Sequence, residues 1–191
     1  MWGSLIAALS NRENMKPNPR KFLIADTHFG HKKVIVFEKD FRPFETIEQH
    51  DDELVYRWNS VVRSCDTVWH LGDVLFGEKS FETLGRLNGI KKLVMGNHDV
   101  YPAAKYLEHF SQIMGAARVS DVILTHIPVH PQQLWNRFIG NIHGHLHSRE
   151  LDDDRYFNVS AEQNDLTPIL FDEVVDTLRK RHEEREKYAP R

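Results

Sequence analysis

The chain has 191 residues, a formal net charge of −3, 40% hydrophobic and 28% charged residues, one cysteine and twelve histidines. That length fits one domain whose core is large enough to fold without disulfides, and the lone Cys65 excludes an intrachain disulfide and points to a reducing, cytoplasmic compartment. The nearly balanced charge gives no electrostatic case for nucleic acid or an anionic membrane as a partner, and it is compatible with a small nucleotide substrate.

Taken in chain order, residues 1–20 read as an N-terminal arm or extension, and 21–191 as a single domain. The apolar run at 5–9 is too short to span a bilayer, and no basic residue precedes it as a signal peptide would require. The run at 21–25 predicts a strand that stops at Asp26. Residues 46–62 repeat Ile47, Leu54, Val55, Trp58, Val61 and Val62 at helical spacing. A strand at 67–71, a short helix at 80–87, a strand at 92–95 and a helix at 103–113 follow. Strands are then expected at 122–125, 138–142, 156–160 and 168–171, with a charged helix at 172–187 closing the chain. Short Val-, Ile- and Leu-rich runs bounded by polar turns suit strands covered on both faces, with function on the loops that follow. The alternation predicts a layered α/β domain, and the late strands without an intervening helix predict a mixed sheet or two stacked sheets.

Five of these strand ends bring potential metal ligands. They are Asp26 with His28; Asp73 after Gly72; Asn97, His98 and Asp99 after Gly96; His126; and His145 with His147 after Gly144. Each is weak alone, because an Asp closing a strand commonly caps a turn and a lone His is more often structural. Together they favour a site, since open α/β sheets place ligands outside the carboxyl ends of their strands. Asp, His and Asn without thiolate suit manganese, iron, cobalt, nickel or zinc. If the segments are extended, side-chain alternation aims Asp26 with His28, and His145 with His147, into one cleft. Gly72, Gly96 and Gly144 let the backbone approach the ions closely.

The ordered set Asp26-x-His28, Gly72-Asp73, Gly96-Asn97-His98-Asp99, a lone His126 and Gly144-His145-x-His147 resembles the calcineurin-like metallophosphoesterases. Asp26-Thr27-His28-Phe29-Gly30-His31 is similar to the small phage and bacterial branch of that family. The resemblance implies a two-layer mixed β-sandwich flanked by α-helices, with the metal site at the carboxyl ends of the strands. It implies two divalent ions, manganese first. Asp26, His28, Asp73 and His147 would hold one, and Asp73, Asn97, His126 and His145 the other, with Asp73 bridging. His98 would stand near the scissile phosphate as an acid or donor to the leaving oxygen, with Asp99 orienting it. One departure is Phe76, where many members carry an acidic residue.

Two such ions acidify a bridging water, present hydroxide in line with phosphorus and clamp the growing negative charge. The function expected is therefore a phosphodiesterase on small, cyclic-nucleotide-like esters, since the chain is too short for a large cap. A phosphomonoesterase comes second, a nuclease third for want of a basic or aromatic-rich groove. A non-catalytic scaffold binding a protein partner is the other class, and it is disfavoured because no ligand of the pattern is missing. Outside the pattern, His50, His109 and His182 are expected on helix surfaces. His70 and His143 are candidates for support of the ligands. His31 and His130 are candidates for substrate contact, and Arg149 for solvent.

Overall fold

The computed structural model describes residues 18–188. The expected arm therefore falls almost wholly outside the described residues. Its last three positions lead into β1 (Lys21–Ile24). The Arg20 guanidinium there meets the Asp66 carboxylate at 2.8 Å, which anchors the start of that strand.

Period-two patterning builds the centre of the molecule. Along β1, Phe22 and Ile24 enter one apolar core while Leu23 and the following Ala25 enter another, so the strand is covered on both faces. It pairs in parallel with β2 (Thr67–His70), which continues the same division, Val68 to the first core and Trp69 to the second. Parallel pairing extends from β2 to β3 (Ile90–Val94) and on to β4 (Gln112–Met114). On the other side β9 (Ile169–Leu170) joins β1 antiparallel, giving the order β4-β3-β2-β1-β9. The second sheet has the order β5-β6-β7-β8, from Ala117–Val119, Val122–Leu124, Gly140–His143 and Tyr156–Asn158. Only the β5–β6 pair in it is antiparallel. Val122, Leu124 and Ile142 of this sheet share the second core with Leu23, Trp69 and Val94 of the first. The molecule is thus a mixed α/β structure of two mixed sheets flanked by helices.

Two helices dominate the flanks. After the short α1 (Val34–Phe37), α2 (Ile47–Val61) begins where the Thr46 hydroxyl accepts the Gln49 N–H at 3.2 Å. It buries Ile47, His50, Leu54, Val55 and Trp58 on one stripe, and the apolar members from Leu54 onward enter the first core. Behind α3 (Phe81–Leu84) and α4 (Ala103–Leu107) comes α5 (Phe171–Tyr188), whose Phe171, Val174, Val175 and Leu178 fill the second core. Its remaining turns are charged. Among the described residues no helix is long and apolar enough to cross a membrane.

The chain departs from the expected pattern between 103 and 119. A single helix over 103–113 was indicated by its periodicity, yet α4 ends at Leu107 and residues 112–114 form edge strand β4, with Ile113 packed on the first core. Strands of three residues such as β4 and β5 are too short to show alternation, and pairing with β3 and β6 decides their conformation. The two sheets meet at the end of β1. Ala25 donates to Val159 O (2.9 Å) and accepts from Ala161 N (3.0 Å), which brings the carboxyl ends of β1 and β8 together.

Candidate metal centre

All seven expected ligands follow strand ends, and their backbone is unusual. Asp26, His28, Asp73, His145 and His147 have φ of 55°, 50°, 55°, 71° and 51°, five of the nine non-glycine residues with positive φ among those described. Left-handed backbone costs an L-residue about 1–2 kcal/mol, and such strain persists where surrounding structure over-determines it. The pairs Asp26/His28 and His145/His147 are therefore not aimed by alternation along extended chain, as the sequence suggested. Each is aimed by two left-handed residues. The strain is held by a ladder from Asp26 N to Gly72 O (2.9 Å), His28 N to Asp73 O (3.1 Å) and Phe29 N to Val74 O (3.0 Å). Gly144 fits because a Cβ there would collide with Ala25 and with the Asp26 carboxylate.

The side chains converge. His28 Nε2 lies 3.9 Å from both Asp26 Oδ1 and Asp73 Oδ2, and His147 Nε2 lies 3.9 Å from Asp26 Oδ1. Across Asp73, His126 Nε2 stands 3.4 Å from Oδ2 and 3.0 Å from Asn97 Oδ1, while the His145 ring packs 5.1 Å from that of His126. Asp26, His28 and His147 thus form one group with ligand atoms within 4.8 Å, and Asp73, His126 and His145 a second. The one oxygen, Asp73 Oδ2, faces both.

These residues fit cations on the chemistry of their atoms. Asp26 Oδ1 and both ring nitrogens of His28 are buried without a hydrogen-bond partner. A buried orphan costs about 1–3 kcal/mol. At 3.9 Å the Asp26 and His28 atoms are too far apart to bond each other and close enough to share an ion with bonds of about 2.0–2.2 Å. Burial pushes the Asp26 carboxyl up to about 6, although His126, His147 and the Ser160 hydrogen bond pull it down.

The other atoms of these side chains are fixed. Asp26 Oδ2 accepts from His145 N and Ser160 Oγ, both at 2.8 Å, and Asp73 Oδ1 accepts from His98 N at 2.8 Å. His126 Nδ1 faces Leu71 O at 2.7 Å, which assigns the proton there and leaves Nε2 with a lone pair toward Asp73. His147 Nδ1 faces Glu162 Oε1 at 2.9 Å in the same sense. Burial works against ionisation of Glu162, but the His147 hydrogen bond and the Arg42 charge overcome it and hold the carboxyl at about 2.

Around this centre the expected helpers divide. The His98 side chain is half exposed, its Nε2 4.0 Å from Asp73 Oδ2. Asp99 does not orient it. The Asp99 carboxylate accepts from the backbone N–H of Asp73 (2.9 Å), Val74 (2.9 Å) and Gly96 (2.8 Å) and from Tyr106 Oη (3.4 Å), so it staples two ligand loops together. His31 stacks on Phe76 with centroids 3.9 Å apart, and Phe76 lies 5.1 Å from the His98 ring, forming an aromatic wall beside His28. His130 is exposed and caps a turn by accepting from Gln132 N, and Arg149 is exposed. His70 supports the ligand loop: its Nδ1 accepts from Gly72 N (3.2 Å) and its Nε2 meets Thr27 Oγ1 (2.8 Å), with burial lowering it to about 3. His143 Nδ1 meets Gly144 O at 2.8 Å. His50 corrects the sequence reading. It is fully buried, bonded to Arg42 and Asp51, because it falls on the core stripe of α2.

Arg42, Ser160 and Glu162 carry no sequence motif, although Asn158, Ser160 and Glu162 repeat the signal of polar groups ending an apolar strand. A cavity of about 740 Å³ is lined by Asp121, Trp135, Ile139, Arg155 and Arg185. Asp121, Ile139 and Arg155 immediately precede β6, β7 and β8, at the end of the sheet opposite the ligand candidates, and Arg185 reaches the cavity from α5.

No family model matches the chain. It is 34% identical over 171 residues to the uncharacterized protein MJ1445 of Methanocaldococcus jannaschii, covering 83% of this chain and 91% of that one. The gene 66 protein of Mycobacterium phage L5 is 32% identical over 161 residues, 65% of this chain and 75% of its own. Among solved structures, the Aquifex aeolicus protein of unknown function AQ665 superposes with a TM-score of 0.68 and 25% identity, over 83% of this chain and 99% of that one.

Proposed function

We infer that this chain, which belongs to the family of the M. jannaschii MJ1445 protein and the phage L5 gene 66 protein, holds two divalent cations and hydrolyses phosphoesters, small phosphodiesters first. The observation that carries this reading is Asp73 Oδ2, which faces His28 on one side and His126 on the other, next to the orphaned buried atoms of Asp26 and His28. The ordered motifs, which resemble those of calcineurin-like metallophosphoesterases, support the same reading, and manganese is the first candidate for a donor set of imidazole, carboxylate and amide oxygen.

Bound there, a pair of divalent cations supplies an acidified water and charge to offset the phosphoryl oxygens. The chain supplies the rest. Asp73 and Asp26 present carboxylate oxygens whose partner oxygens are already held by His98 N, His145 N and Ser160, so neither can rotate away. His98, half exposed beside Asp73, would donate a proton from its ring to the departing ester oxygen. Asp99 keeps the Asp73 and Asn97 loops in register and touches no reacting atom. The serine beside the ligand candidates, Ser160, is fully buried with its Oγ held between Asp26 Oδ2 and Asn158 Oδ1, and Cys65 lies before β2, away from the strand ends that carry them.

The test is turnover of a bis-nitrophenyl phosphodiester and of a nitrophenyl monoester by protein stripped of metal and reloaded with manganese. Metal-dependent hydrolysis, faster on the diester, is expected. Two bound ions with no turnover of either ester, with any of the five candidate metals, would contradict the enzyme reading in favour of a binding scaffold.

A further inference from the structure

The metal reading leaves one buried charge unexplained. Arg42 has no solvent exposure, and its guanidinium spends four contacts on groups that shape a single part of the centre. Nε donates to Glu162 Oε1 at 2.7 Å, Nη1 donates to Thr27 O at 3.1 Å and lies 2.6 Å from His50 Nε2, and Nη2 donates to Asp26 O. Asp26 O and Thr27 O belong to the two successive peptide groups joining Asp26 to His28, both of which have left-handed backbone. Fixing both carbonyls fixes where the Asp26 and His28 side chains point. Through Glu162 the same guanidinium also sets His147, because Oε1 receives both Arg42 Nε–H and His147 Nδ1–H, which turns Nε2 toward Asp26.

We propose that Arg42 is a positioning residue for one metal subsite, that of Asp26, His28 and His147, and leaves the subsite of Asp73, Asn97, His126 and His145 untouched. The proposal rests on the metal reading above. No hydrogen bond from Arg42 reaches any of the latter four residues; Asp73 and His126 are braced by Leu71 O, His98 N and Asp99, and His145 N donates to Asp26 Oδ2. The planar fork matters as much as the charge, since a lysine presents three donors from one nitrogen and cannot span two carbonyls, a carboxylate and an imidazole. His50 completes the clamp: its Nδ1 meets Asp51 Oδ1 at 2.9 Å, and Asp51 Oδ2 accepts Gly30 N at 2.9 Å, so the loop after His28 is held to α2 by the same chain of bonds.

A merely structural arginine would lower stability and affect both subsites alike; a positioning one separates them. The experiment is calorimetric titration of manganese into metal-free wild type, Arg42→Lys and Glu162→Gln, with folding of each checked by circular dichroism. Glu162→Gln keeps size and most packing, so it reports even if Arg42→Lys does not fold. Wild type should show two binding events. In each folded variant one event should weaken by about 10–100-fold while the other holds, and His28→Ala should abolish the same event that the variants weaken. Equal weakening of both events, or two unchanged events in folded variants, would overturn the proposal while leaving the metal reading in place. A wild-type protein that binds no manganese, nor cobalt or zinc, would overturn both.

Discussion

The two halves of the ligand cluster are braced by different means. Besides its main-chain ladder, the half with Asp26, His28 and His147 is held by side chains from elsewhere in the chain, Arg42, Ser160 and Glu162, all buried. The half with Asp73, Asn97, His126 and His145 is held chiefly by main chain. Leu71 O takes the His126 ring, His98 N takes Asp73 Oδ1, and Asp99 gathers three backbone N–H groups beneath the loops. Their exposure differs as well, since Asp26 and His28 are buried whereas Asn97 and His98 are exposed. In both halves the inner residues are buried, Asp26 and His28 in one and Asp73 and His126 in the other, so the difference lies at the rim. The second half keeps an open face at Asn97 and His98, the side from which the proposed ester would approach.

The largest effect that could break this contrast lies at His98. On the open side it should serve the leaving group without holding metal, so His98→Ala with full metal content should reduce kcat/KM for a nucleoside cyclic phosphodiester by about 10²–10⁴-fold. The loss on a nitrophenyl ester should be smaller, because an aryl oxide departs without a proton. Equal losses on both substrates at full metal occupancy would show that His98 stabilises charge on phosphoryl oxygens instead. A smaller effect sharpens the contrast through stability. Asp99→Ala strands the N–H groups of Asp73, Val74 and Gly96, at about 1–3 kcal/mol for each that water cannot reach. With water reaching some of them, a loss of about 2 kcal/mol is expected, a fall in Tm of roughly 4–8 °C for a chain of this size. It should loosen metal held by Asp73 and His126 more than metal held by Asp26 and His28. A Tm within 2 °C of wild type would mean that Asp99 is not the staple described.

The part of this centre that could be read in the sequence is the part that repeats. Polar residues closing apolar runs marked all seven residues that the structure gathers in this cluster, because parallel strands stop at the same edge and the rule applies to each independently. The strands covered on both faces, β1, β2 and β3, were legible for the same reason. What escaped is what depends on contact between distant segments. Arg42 sits between Phe41 and Pro43 with no periodic cue, and its role exists only because residues 26–27, 50 and 162 surround it. His50 was expected at the surface because a histidine on a charged helix is usually solvated, yet it lies three residues after Ile47 on the stripe that packs inward. Asp99 was expected to serve its sequence neighbour His98, and instead it reaches back to residues 73 and 74. The left-handed backbone of Asp26 and His28 was invisible, since neither residue type demands it.

The central claim, one carboxylate shared by two ions, is tested most directly by counting metal on purified Asp73→Ala and His28→Ala proteins beside wild type. Wild type should hold two manganese ions per chain. His28→Ala should lose the ion of its own half and keep the other, while Asp73→Ala should lose both together with turnover. An Asp73→Ala protein that still binds two ions and hydrolyses the diester at the wild-type rate would contradict the account.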